Sequence, residues 1–414
     1  MRGRRLVAFL VMVAALAAAA PFVRPFVRGL SFVVRAANLD GAVRRAADLD
    51  TQQTSERGIA LPTPRGTLRG RLYEPAHNTR RTVLLTSGLH PAGINEPRLV
   101  ALARQLAASG VAVLTPDIPE LETFAITPAI TDTIEQAALW LADHANAQAD
   151  GRVGLIGISF SGGLSVIAAG RPALRDRVAY VLSFGGHDDL PRVLRYLCTG
   201  FETGPGRLMP DAIGAQTRPG VAAAVSSAAP SGAGEPGGYR RPHDYGVAVI
   251  LLGVADRIVP PEQVEPLRTG VRRFLWASHL DRVDKPQADR EFEALRALAR
   301  QLPEPSATLL GYVNDRDVVH LGARLLPFIG FYGTDASLSP SKSPMPDAPV
   351  FLLHGLDDNV IPAEESEYLA DDLRGHAPTR LLLSGLISHA EADQPVHVED
   401  VMRLASFWAD LLDR

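Results

Sequence analysis

One cysteine stands in 414 residues, and that scarcity excludes several kinds of protein at once. A lone thiol cannot build an internal disulfide framework or a multi-cysteine metal site, and Cys198 reads as buried filler rather than as a nucleophile. Charge of one sign is scarce as well. The formal net charge is −4 and no basic block lies outside the N-terminus, so nothing supports a nucleic-acid partner. Metal-ligand spacing is also wanting: His187-Asp188-Asp189 stands without a second cluster to complete a coordination shell, and neither metal nor cofactor is expected.

What is present suits a large folded protein. With 46% hydrophobic and 21% charged residues, the chain can bury one big domain carrying an insertion, or two smaller domains. Its N-terminus is distinctive. Arg2, Arg4 and Arg5 precede an apolar stretch at 6–20, and Ala18-Ala19-Ala20 offers a cleavage region, as in a secretory signal. Pro21 follows at once and apolar character resumes to Val34, which suits a retained membrane anchor equally well, with a buried helix of a soluble protein as a further alternative. Arginines on both sides leave the orientation open, and 24–45 could instead lie along a membrane surface. Residues 1–35 are therefore read as signal or anchor and 36–56 as linker, which implies a membrane-associated or exported protein.

Beyond the linker a rhythm sets in. Two strands of a hairpin lead to RTVLLTSG (81–88), then a helix over 96–110, a strand at 111–117, a helix over 131–147, a strand ending at Ser159, a helix, and a strand over 178–186. Apolar runs alternating with helical spacing predict a parallel sheet covered on both faces. After Gly186 the rhythm breaks. Residues 203–240 are rich in Gly, Pro, Ala and Ser, which reads as a loose loop, and 243–333 read as helices. Strand and helix return from residue 348. The core is thus expected over 57–190 and 346–414, interrupted by a mainly helical lid over 191–345.

Gly157-Ile158-Ser159-Phe160-Ser161 sits where a buried strand meets a helix. A turn sharp enough to expose a nucleophile there needs small residues two before and two after it, which singles out Ser159. Ser161, flanked by Ser159 and Gly163, is a formal alternative. A serine hydroxyl also needs a base and a group to orient that base, and acid candidates occur twice. Asp256 and Asp358 each lie three after a glycine and four before a proline. Asp358 follows a strand and precedes a helix, a further strand and His389, an order that brings acid and base to one sheet edge. Asp256 is followed by helix as far as His279, which leaves that histidine no strand to position it. Asp357 and His397 remain alternatives for acid and base. His354 reads as a packing residue, while His90 and His187 follow strand ends and could line a pocket. The amides of Phe160 and Leu89 are placed to stabilise a negative oxygen.

Together VLLTSGLHPAG, VGLIGISFSGG, VFLLHGLDDNVIP and LISHAEAD, in that order, resemble the α/β-hydrolase fold family, including its dienelactone-hydrolase-like and peptidase-like branches. The resemblance covers 57–190 and 346–414. It implies a mostly parallel twisted sheet of eight strands with flanking helices, and serine-dependent hydrolysis through an acyl-enzyme. By position Ser159 is the nucleophile, Asp358 the acid, His389 the base, and Leu89 with Phe160 the oxyanion donors. Serine at 161 where glycine is usual, and Ser-Gly rather than His-Gly in the loop after the third strand, depart from the family pattern. The expected partner is a small-molecule ester, lipophilic if the N-terminus keeps the protein near a membrane. A peptidase, an acyltransferase and a catalytically silent binding protein are the competing readings.

Overall fold

The computed structural model describes residues 23–77, 79–144, 150–202, 238–387 and 397–414. The apolar stretch at 6–20, most of the loop at 203–240, and His389 lie outside the described residues. Strands β1 (Thr54–Thr63), β2 (Gly66–Pro75), β3 (Arg81–Thr86), β4 (Val111–Pro116), β5 (Val153–Ile158), β6 (Val178–Phe184), β7 (Val350–Gly355) and β8 (Thr379–Ser384) form one sheet. Its order is β1-β2-β4-β3-β5-β6-β7-β8. The β1–β2 hairpin and the β2–β4 pairing are antiparallel, and every pairing from β4 to β8 is parallel. This is the architecture of an α/β-hydrolase fold.

Apart from a single turn at Pro119–Glu122, the helices in chain order among the described residues are α1 (23–36) and α2 (Gly41–Asp48), then α3 (Pro97–Ala108), α4 (Ala129–His144) and α5 (Phe160–Gly170). Next come α6 (Leu190–Thr199), α7 (Asp244–Ile258), α8 (Pro261–Val283), α9 (Lys285–Ala299), α10 (Ser306–Asn314) and α11 (Val318–Leu325). Last are α12 (Glu364–Asp372) and α13 (Val398–Leu412).

Every residue of β4 and of β7 is buried, which explains why their apolar residues do not alternate with exposed polar ones: a strand covered on both faces has no solvent side to mark. Alternate residues still part company. Leu84, Leu114 and Leu155 pack with α4 and α5, whereas Val83, Leu85 and Ile156 pack with α3 and α13. Helices α6 to α11 lie between β6 and β7 in the chain, and their buried side chains belong to the same core as α4 and α5. The insertion therefore shares its hydrophobic core with one face of the sheet.

The N-terminal region departs from its sequence reading. Residues 23–35, grouped there with a signal or anchor, form most of α1, and the linker at 36–56 contains α2 and the start of β1. Phe32 is fully buried with its ring 4.2 Å from that of Trp408 on α13. A Cβ on Gly29 would come within 2.1 Å of the Ala405 carbonyl oxygen, so the two helices touch backbone to backbone. Arg35 is buried and donates to Gln105 Oε1, the Ala47 carbonyl and Ser109 Oγ at 3.1, 2.8 and 2.7 Å. Arg28, also buried, lies 3.6 Å from Asp50, so the two buried arginines of this run have partners in the fold, and Phe32 and Gly29 face α13. Among the described residues no helix is long and apolar enough to cross a membrane.

Candidate active site

β5 ends at Ile158 and α5 begins at Phe160, which leaves Ser159 alone to turn the chain. It does so at φ +55° and ψ −129°, a conformation that costs a non-glycine residue about 1–3 kcal/mol. Its N–H donates to the Phe184 carbonyl at 2.7 Å, and its carbonyl accepts from the Gly162 N–H at 2.7 Å. Gly157 cannot be larger, since a Cβ there would fall 2.1 Å from the Ser161 carbonyl oxygen. The Ser159 side chain stays half-buried and reachable. Ser161, the alternative nucleophile, is fully buried, and its hydroxyl donates to the Ser87 carbonyl at 2.6 Å.

That bond leads to the loop after β3. A Cβ on Gly88 would lie 3.2 Å from the Ser159 Cβ, so this loop runs against Ser159. Among the described residues no protein acceptor engages the Leu89 or the Phe160 amide. The Leu89 carbonyl accepts a hydrogen bond from the phenol of Tyr245 on α7. Burial lifts the Tyr245 phenol well above its ordinary range, so it keeps the proton it donates. In the same loop burial, with a contribution from neighbouring His279, pushes the His90 imidazole down to about 4.

Asp358, in the loop after β7, is buried. Its Oδ1 accepts from the Val360 and Ile361 amides at 2.9 and 3.1 Å. Its Oδ2 lies 3.5 Å from His354 Nε2 and 3.7 Å from the position a Cβ on Gly185 would take. His354 acts as a brace beneath this loop: Nε2–H donates to the Ile361 carbonyl at 2.9 Å, and the Ser366 hydroxyl donates to Nδ1 at 2.6 Å. From the insertion, Arg240 donates to the carbonyls of Leu356 and Asp358 at 3.3 and 3.2 Å. Since β5, β6 and β7 are neighbours in the sheet, Ser159 and Asp358 share its carboxyl edge. Asp357 and His397 are exposed. Asp256 is exposed and pairs with Arg268 at 3.3 Å, while His279 packs edge-on against the His90 ring at 4.9 Å.

Above Ser159 opens a pocket of about 520 Å³ of empty space, its mouth included. Leu190, Leu194 and Leu197 of α6 face Val249 and Ile250 of α7 across it, with Phe160 as a further wall. Among the described residues no charged side chain lines it; His187, whose charge burial opposes, stacks on Phe160 at 5.3 Å. Cys198 does not line it, and burial pushes that thiol up to about 12.

The three residues of the metal-like run go separate ways. His187 Nε2–H donates to the Leu338 carbonyl at 2.7 Å, Asp188 pairs with Arg192 at 2.9 Å, and Asp189 with Lys342 at 2.8 Å. Burial pushes the Asp188 carboxyl up to about 7 even beside the Arg192 guanidinium, and its Oδ1 lacks a hydrogen-bond partner. The folded protein therefore holds this proton up to that pH, whereas an unfolded chain releases it near ~4. More protons are bound in the folded state across that window, so stability declines as pH rises through it. Asp188→Asn should flatten the decline in urea unfolding measured from about pH 4 to about pH 8; an undiminished slope would assign it to another group.

Tyr245, Arg240 and the Arg192–Glu365 pair escaped the reading of the sequence. Each acts through space on a residue far off in the chain, and no spacing rule marks it.

No family model and no curated protein matches the chain. Among solved structures it is similar to a hyperthermophilic esterase from the archaeon Pyrobaculum calidifontis, at 16% identity over 95% of this chain and 94% of that one, with a TM-score of 0.40. An open-form lipase aligns at 15% identity over 87% of this chain and all of its own (100%), TM-score 0.41. A dienelactone hydrolase described as putative, from Klebsiella pneumoniae, aligns at 12% over 86% and 99%, TM-score 0.38. At these identities and scores the likeness assigns no activity and no residue to this chain.

Proposed function

We propose that the protein is a serine hydrolase that cleaves a carboxylic ester with an uncharged, apolar acyl group. The observation that carries this reading is the strained turn at Ser159, set beside two amides without protein acceptors at the foot of an apolar pocket. Strain of this kind is kept where the surrounding structure has a use for the exposed side chain.

In the proposed reaction the Ser159 Oγ–H proton passes to His389 as Oγ attacks the acyl carbon. The carbonyl electrons move onto oxygen, where the Leu89 and Phe160 N–H groups donate to it. Asp358 accepts from the other imidazole nitrogen and stabilises the charged ring. Collapse of the intermediate expels the alcohol, which takes the proton from His389. Water then attacks the acyl-enzyme, its proton going to the same imidazole, and Ser159 recovers its hydrogen as the carboxylic acid leaves. The N-terminal segment supports a membrane-associated or exported enzyme, a placement consistent with lipophilic esters.

A fluorophosphonate probe followed by mapping of the modified residue tests the assignment. The expected adduct is on Ser159, accompanied by hydrolysis of uncharged acyl esters in preference to peptides. Absence of an adduct, or its appearance on another residue, would overturn the reading.

A further inference from the structure

Taken together with the proposed function, on which this step rests, two hydroxyls outside the triad acquire a role. We infer that Ser161 and Tyr245 are positioning residues that clamp the oxyanion donor of Leu89 from both sides. That donor N–H belongs to the Gly88–Leu89 peptide. The carbonyl of the peptide before it, that of Ser87, accepts from the Ser161 hydroxyl at 2.6 Å. The carbonyl of the peptide after it, that of Leu89, accepts from the Tyr245 hydroxyl.

The need for such a clamp follows from Gly88. A side chain there would crowd the nucleophile, with a Cβ 3.2 Å from that of Ser159, so the loop takes a glycine and with it wide torsional freedom. An oxyanion donor is useful only if it stays within about 2.7–3.1 Å of the developing charge without reorganising. Fixing the carbonyl on each side of that peptide supplies the rigidity, and the Ser161 hydroxyl acts from a fully buried position, where hydrogen bonds are stronger. The clamp also accounts for serine at position 161, where the sharp turn at Ser159 requires a small residue: glycine would satisfy the sterics and lack the donor. Tyr245 ties the insertion to the same task. The segment that leads into α7 touches both loops of the site, with Arg240 on the carbonyl of Asp358, the His243 amide on the Asn359 carbonyl at 2.9 Å, and Tyr245 on Leu89. The insertion is thus a working part of the oxyanion site as well as the wall of the pocket.

The test uses the full chain with Tyr245→Phe and Ser161→Ala, a p-nitrophenyl acyl ester, and an arylboronic acid that mimics the tetrahedral intermediate. Each variant should lower kcat by about 10- to 100-fold, short of the ~10²- to 10³-fold loss of a deleted donor. KM should stay within about three-fold, and boronate affinity should fall in step with kcat. The pH midpoint of kcat should not move, since the base is untouched, and the fluorophosphonate adduct should remain on Ser159. A generally loosened structure would instead change KM and melting temperature together. If the wild type forms no adduct at Ser159, the underlying function fails; if it does, and both variants keep kcat and boronate affinity within about two-fold, the clamp alone fails. Should Tyr245→Phe not fold, Ser161→Ala decides, and collapse of both would make these hydroxyls stabilisers of the fold and overturn a positioning role.

Discussion

Ser159→Ala is expected to remove ester hydrolysis, with a loss of about 10⁴- to 10⁶-fold in kcat, while the protein melts as the parent does. The two halves of this expectation have separate causes. Activity goes because the attacking oxygen is absent, and what remains is the acceleration that binding and two amide donors can supply without a nucleophile. Stability stays because the backbone bonds that hold the turn, Ser159 N–H to Phe184 and Gly162 N–H to Ser159, survive, and alanine bears the same strain at φ +55°. Steady-state kinetics and thermal melts of the purified variant check both. Full activity in Ser159→Ala beside an inert Ser161→Ala would move the nucleophile two residues along. A loss of only 10- to 100-fold in Ser161→Ala is what the clamp described above requires.

Arg192→Met should cost about 3–5 kcal/mol of folding stability, the largest loss expected from any change outside the hydrophobic core. The guanidinium sits between two carboxylates that are each only 2% exposed. Its Nε–H donates to Glu365 Oε1 at 2.5 Å, and Nη2 donates to Asp188 Oδ2 and Glu365 Oε2 at 2.9 and 3.0 Å. Glu365 in turn accepts the amides of Asp188 and Asp189 at 2.9 and 3.0 Å, which fastens the loop after β6 to α12. Methionine fills a similar volume and leaves two carboxylates with no cation between them. Asp188 can meet this by keeping its proton, so the loss should be greater at pH 8 than at pH 6, above and below its value of about 7. Urea unfolding at the two pH values measures the difference. A change below about 1 kcal/mol at both would place the pair among those that contribute little.

The strand-helix alternation was legible because each element buries its own period: runs such as VAVLTP and VFLLHG are buried throughout and mostly apolar where both faces are covered, and helices mark a stripe. The elbow was legible for a related reason, since steric crowding within five consecutive residues dictates which of them must be small. The packing of residues 23–34 was not legible, because apolar residues there suit a lipid surface and a protein surface equally well, and composition cannot say that Trp408 and Ala405 lie against them.

Local spacing by itself determined the fold class, the site of the strained turn and the acid candidates, because those depend on torsions and contacts between near neighbours. Which arginines would be buried, which hydroxyl would meet the Leu89 carbonyl 156 residues away, and which cation would stand between Asp188 and Glu365 were decided only by the tertiary structure. A buried donor takes whatever acceptor the packing brings within about 3 Å, and that partner has no fixed offset along the chain.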